Sequence, residues 1–202
     1  MPERVSFECT LFGGPALPPS VAMSAIAKAF AEEMGPPLEV MSLDVGSGRQ
    51  HMVAWPAGAA ILDSVPGVTT QLFRYHASPA AGTGRVVLSY SLARSGCTAG
   101  ISFPDMVLAG NPQRVVATLL ALRHATQCLA QESVIGAGGE ADACYDAETP
   151  KDAVRSMLGG IVHAHWIAAG GTAFPDAQSL TTSAPAWRFV VQSRTDVIAA
   201  RV

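Results

Sequence analysis

The chain has 202 residues, 49% of them hydrophobic and 14% charged, with a formal net charge of −3. It is too apolar for a disordered protein and long enough to bury a sizeable core as a single domain, 1–202. With no basic block, it lacks the concentrated positive field that nucleic acid or an anionic membrane surface requires, so neither is expected as a partner.

Met1-Pro2-Glu3-Arg4 opens no secretory signal, because no apolar run follows a basic start. No segment reaches the roughly 18 apolar residues of a membrane helix. Cys9, Cys97, Cys128 and Cys144 are scattered without CxxC spacing, which reads as reduced thiols in a cytoplasmic protein.

The first element is a strand. Val5, Phe7, Cys9 and Leu11 alternate with Ser6, Glu8 and Thr10, so one face is apolar and the other polar. Gly13-Gly14-Pro15 and Pro18-Pro19 break it, and Ser20 caps a helix expected to run to Met34 and stop at Gly35-Pro36. Leu38 to Val45 forms a second strand. From Gly46 to Gly67 only a short apolar run, Ala59 to Val65, suggests a turn or two of helix. A meander follows, with strands over Val68–His76, Arg85–Leu92 and Thr98–Phe103 separated by turn-rich connections.

Asn111 to Glu132 is the longest patterned stretch and predicts a buried helix. Asn111 is an N-cap and Pro112 suits the first helical position, where its missing N–H is not needed. Val115, Val116, Leu119, Leu120, Leu122 and Leu129 recur at helical spacing, interrupted by Arg123 and Thr126, with His124 on the opposite side. A loop from Ser133 to Glu148 comes next. Thr149-Pro150 with Asp152 then starts a second long helix, whose apolar spacing runs through Val154, Met157, Leu158, Ile161, Val162 and His165. Gly159-Gly160 is a weak point inside it. Ala186–Gln192 is a final strand, and Arg194–Val202 extends it or returns beside it. The expected class is α+β, a mainly antiparallel sheet of about five to seven strands with two or three long helices packed on one face.

The chemistry-bearing residues are few. His163-Ala164-His165 on a strand would present both imidazoles to one side, where a divalent metal could bridge them with Asp142, Asp146 or Asp176 as carboxylate ligand. On the helix expected here, residues two apart diverge, placing His165 toward the core and His163 in solvent. Gly46-Ser47-Gly48-Arg49 and Gly82-Thr83-Gly84-Arg85 are glycine-rich turns. The first lacks a P-loop lysine and the second runs into a strand, so both read as structural. The loop GAGGEADACY places Glu140, Asp142 and Tyr145 where contact with a partner is expected, and Cys144 there lacks an identifiable base. Trp55, Trp166 and Trp187 suit core or interface anchors.

The leading functional reading is a non-catalytic bacterial protein-binding domain of the immunity, inhibitor or adaptor type, engaging another protein or a second copy of itself. No cofactor is expected on that reading. The alternatives are a metal-dependent hydrolase using His163, His165 and Asp176 with a divalent metal, and a small-molecule-binding protein or transferase.

Overall fold

In the computed structural model, the described residues are 4–13, 39–43, 50–54, 70–75, 86–93, 96–104, 111–127, 129–138 and 147–202. The alternating first segment forms β1 (Arg4–Phe12). The meander and its approach form β2 (Glu39–Leu43), β3 (Gln50–Ala54), β4 (Thr70–Tyr75), β5 (Val86–Ala93) and β6 (Gly96–Pro104). Then come α1 (Pro112–Thr126), β7 (Glu132–Gly138), α2 (Pro150–Leu158), β8 (Trp166–Ala169), a 3-10 turn (Gly171–Ala173), α3 (Ala177–Ser183), β9 (Trp187–Gln192) and β10 (Val197–Arg201). The sheet order among the described residues is β3-β2-β4-β5-β6-β1-β7-β8-β10-β9, and every neighbouring pair is antiparallel.

The α+β class and the antiparallel sheet are as the sequence predicts. The sheet is larger, with ten strands among the described residues. The additions are β3, β7 and β8, and β7 is the instructive one. It occupies the start of the expected loop, where Gly136 and Gly138 suggest turn rather than strand. Its residues from Ser133 to Gly138 are all buried, so it shows no polar–apolar alternation. Gly136 is closely packed: a Cβ there would stand 2.9 Å from Met157 Cε of α2 and 3.4 Å from Ala164 Cβ. Glycine in a strand is a common sign of such close approach.

The helices do not share one face, which corrects the expected two-layer arrangement. Pairing of β1 with β7 matches Phe7 to Ala137, Cys9 to Ile135 and Leu11 to Ser133, so these side chains point the same way. Arg123 of α1 bonds to Ser133, which places α1 on that face with Leu119 and Leu122 fully buried. Val134 and Gly136 point the other way, into a core shared with Val154 and Met157 of α2, Leu180 of α3, Ile167, Trp187, Val197 and Ala199. Two apolar helix faces, one on α1 and one on α2, each require cover, and the doubly buried β7 supplies it on both sides.

Helix boundaries follow local chemistry. Asn111 accepts from the Arg114 N–H at 3.2 Å, and Pro112 opens the first turn. Helix α1 ends at Thr126 rather than Glu132, and Glu132 is the first residue of β7. Thr149 caps α2 by accepting from the Asp152 N–H at 3.2 Å. That helix ends at Leu158 instead of continuing through His165. Gly160 takes φ +75, its N–H bonds Met157 O at 3.1 Å, and the Ile161 N–H bonds Ser156 O at 2.9 Å. This is a Schellman termination, in which glycine supplies the left-handed residue. The apolar spacing beyond it belongs to the turn and to β8.

The returning C-terminal segment is β10, which lies between β8 and β9. At the edge, β9 carries a bulge. Ile198 pairs with Val191 and Ala199 with Phe189, leaving Val190 without a counterpart on β10. The helix expected over Ser20–Met34, the run Ala59–Val65, Trp55 and the two glycine-rich turns lie outside the described residues. No helix among the described residues is long and apolar enough to cross a membrane.

Candidate functional site

Three places on the described surface hold groups capable of recognition or chemistry. The first is a polar cavity of ≈ 290 Å³ lined by residues including Arg123, Gln127, Glu132, Gly170 and Arg194. Arg123 interrupts the apolar stripe of α1, yet it is buried, because its guanidinium reaches across to β7 and the β9–β10 turn. Its Nε donates to Asp196 Oδ1 at 3.1 Å, and one terminal nitrogen donates to Glu132 Oε1, to Ser133 O at 2.6 Å and to Ser133 Oγ at 3.1 Å. The other terminal nitrogen reaches Thr195 O at 3.4 Å. Thr126 Oγ1 and Ser133 Oγ are 2.8 Å apart.

Such a network satisfies a buried cation, and its value to the fold lies in leaving nothing unpaired. It is a poor catalyst. The Ser133 hydroxyl is shared between Thr126 and Arg123, neither of which can act as a base toward it. Nearby, Cys9 is fully buried. Burial pushes its thiol far above the ordinary range, the Glu8 carboxylate adds to that, and Arg123 opposes it weakly. A thiol so held stays protonated and is no nucleophile.

The second place is an apolar groove of ≈ 430 Å³ between α2, the 3-10 turn and α3. Val154, Leu158, Phe174 and Ala184 line it, with Lys151 and Arg155 on the rim. Phe174 is set edge-on to Phe189, ring centres 5.7 Å apart. Arg155 pairs with Asp152 at 3.4 Å in a largely exposed bridge, which contributes little. Just past the groove, Ile161 is 83% exposed in the turn after α2. Sequence reasoning missed the groove, although its signal is present: Lys151 and Arg155 repeat at i, i+4 beside Val154 and Leu158 at i, i+4, and a helix aligns such pairs.

The third place is the histidine pair. His163 and His165 are both exposed, while Ala164 between them is buried. Their ring centres are 5.2 Å apart with planes at 58°. The expectation of a helical His165 turned to the core is therefore corrected, because α2 ends at Leu158 and His165 lies exposed just before β8. Asp176 has a different partner. It caps α3, its carboxylate accepting from the Ser179 N–H at 2.8 Å and from the Ser179 hydroxyl at 2.7 Å. Those bonds hold its carboxyl below the usual Asp value. No group of three or more His, Cys, Asp or Glu placed to hold a metal occurs among the described residues. Glu140, Asp142, Cys144, Tyr145 and Asp146 lie outside them.

No protein-family model matches the chain, and no curated protein matches it. Among solved structures, the chain is similar to the Pseudomonas aeruginosa T6SS protein PA0821, with 10% identity, 98% of this chain and 68% of that chain covered, and a TM-score of 0.48. It is also similar to a chain in the crystal structure of the toxic C-terminal tip of CdiA from Pseudomonas aeruginosa in complex with immune protein. There the identity is 11%, the coverage 83% of this chain and 86% of that chain, and the TM-score 0.33. Likenesses at this level carry no functional inference.

Proposed function

We propose that this chain is a non-catalytic protein-binding domain of the immunity, inhibitor or adaptor type. On this reading the groove between α2 and α3 receives an apolar segment of a partner protein flanked by acidic residues. The observation that carries it is the pairing of an apolar floor at Val154, Leu158 and Phe174 with the cationic rim of Lys151 and Arg155. Apolar contact supplies affinity in such a site, and the rim charges select the partner and speed encounter. At the polar cavity, Arg123 is committed to structure by its ion pairs with Glu132 and Asp196.

Fluorescence anisotropy with short labelled peptides tests this. One set carries a Leu or Phe anchor flanked by glutamates, and the control set carries the same anchors flanked by lysines. The acidic set should bind about tenfold more tightly, roughly 1.4 kcal/mol, and Leu158→Glu and Lys151→Glu should each abolish the difference. Equal binding of the two sets, or acidic-set binding untouched by Leu158→Glu, would overturn the proposal. A second reading, metal-dependent hydrolysis, is favoured by one observation, the side-by-side placement of His163 and His165.

A further inference from the structure

His163 and His165 are placed by backbone chemistry. The Schellman turn ends α2, and the chain then bends at Ile161, Val162 and His165 before it enters β8. Ala164 turns inward, its Cβ 3.4 Å from where Gly136 would carry one. His163 and His165, on either side of it, are both exposed. The position of His165 is fixed from both sides: its N–H donates to Ala137 O and its carbonyl accepts from the Arg201 N–H, each at 2.8 Å. Its ring lies over Gly138, where an added Cβ would be 3.6 Å from Cγ.

We infer that His163 and His165 form a two-imidazole surface site for a divalent transition-metal ion of the zinc, nickel or copper class. The separation supports it. A metal–nitrogen bond is about 2.0–2.1 Å, and the ring centre lies about 1.1 Å further along, so two imidazoles on one tetrahedral ion hold their centres about 5.2 Å apart. The observed spacing is 5.2 Å. Both rings are exposed, and neither has a hydrogen-bond partner among the described residues, so an ion can reach them without breaking an existing bond. Magnesium and calcium are excluded by the donor type, since hard cations select oxygen ligands. Arg201 meets His165 through that backbone bond, just beyond the β8–β10 pairing, and its positive charge works against the ion. The chain supplies two ligands among the described residues, leaving the other coordination positions to water or to a donor on a bound molecule. Open positions of that kind are what bridging or water activation requires.

Calorimetric titration of the full chain, stripped with EDTA and free of any polyhistidine tag, tests the site with CuCl₂, NiCl₂, ZnCl₂ and MgCl₂ as probes. The expected result is one equivalent bound, copper more tightly than nickel or zinc, and magnesium not at all. His163→Ala and His165→Ala should each weaken binding at least tenfold, while His124→Ala, an exposed histidine on α1, should leave it unchanged. Because both rings are on the surface, the variants should retain the wild-type unfolding midpoint. His163→Gln and His165→Gln repeat the measurement with polar side chains. Absence of saturable one-equivalent binding by all three transition ions would overturn the site. So would binding that survives loss of both histidines. Neither outcome bears on the α2–α3 groove, whose peptide titration involves other residues.

Discussion

Gly170→Ala isolates the network around Arg123 more cleanly than removing the arginine itself. Gly170 follows β8 with φ −63 and ψ 151, a conformation alanine adopts freely, so the backbone tolerates the change. The cost is steric. A Cβ at this position overlaps Glu132 Oε2 and comes within 3.1 Å of Glu132 Cδ. A free glutamate would swing aside at little cost. This one is held through Oε1, which accepts from Arg123 and, at 2.9 Å, from the Ser133 N–H. Displacing it therefore weakens charge-assisted bonds that are individually worth about 1.5–3 kcal/mol. The Glu132 side chain is 25% exposed, so water recovers part of that loss, and the net destabilisation should be about 1–3 kcal/mol. For a chain of this size, that lowers Tm by roughly 2–12 °C. A double-mutant cycle by equilibrium urea unfolding identifies the cause. Once Glu132→Ala has removed the obstructing carboxylate, adding Gly170→Ala should cost almost nothing further, giving a coupling of about 1–3 kcal/mol. If Gly170→Ala is neutral, or if the two costs add, the clash with Glu132 is not what constrains this position.

Leu119 is fully buried against the sheet, so Leu119→Ala should cost about 2–5 kcal/mol; an unchanged urea midpoint would show that α1 is peripheral. The Asp176 carboxyl is depressed in the folded state, so its cap stabilises α3 above the ordinary Asp range and that stabilisation is lost as pH falls through the folded value. The Tm difference between wild type and Asp176→Ala should therefore shrink as a pH series is carried below the ordinary Asp range, and a difference that stays constant down the series would contradict the capping role. Cys9 should resist iodoacetamide in the native protein at about pH 8 and react in urea. Peptide mass mapping reads this out, and native labelling at the free-thiol rate would show that β1 is not sealed.

Much of the architecture can be read from local chemistry. The alternation through Phe7, Cys9 and Leu11 marks β1, and Asn111-Pro112 and Thr149-Pro150 mark two helix starts because caps act within one turn. What escapes such reading depends on packing partners remote in sequence. Gly136 and Gly138 look like a loop until Met157 of α2 is placed above the first and His165 above the second, and only then do the missing Cβ atoms fit a strand. The continuing apolar spacing after Leu158 resembles helix, while the glycine at Gly160 has already turned the chain. Arg123 looks like a defect in an apolar stripe, since Glu132 and Asp196 are brought to it only by the tertiary fold. The histidine pair is visible as a motif, but its geometry depends on where α2 stops and how the chain enters β8. The face chosen by each helix was not encoded locally, because β7 is apolar on both sides.

The position of β1 has a consequence for synthesis. This strand lies between β6 and β7, with Ser6 paired to Ser102 on one side and to Gly138 on the other. At about 5–20 residues per second, translation leaves the apolar face of Phe7, Cys9 and Leu11 waiting roughly 5–20 s for β6 and about 7–26 s for β7. During that interval both hydrogen-bonding edges of β1 are open to wrong partners. Nascent chains should therefore depend on a holding chaperone until Gly138 has left the ribosome, and slowing elongation between Pro104 and Glu132 should lower the yield of folded protein without changing the stability of what does fold.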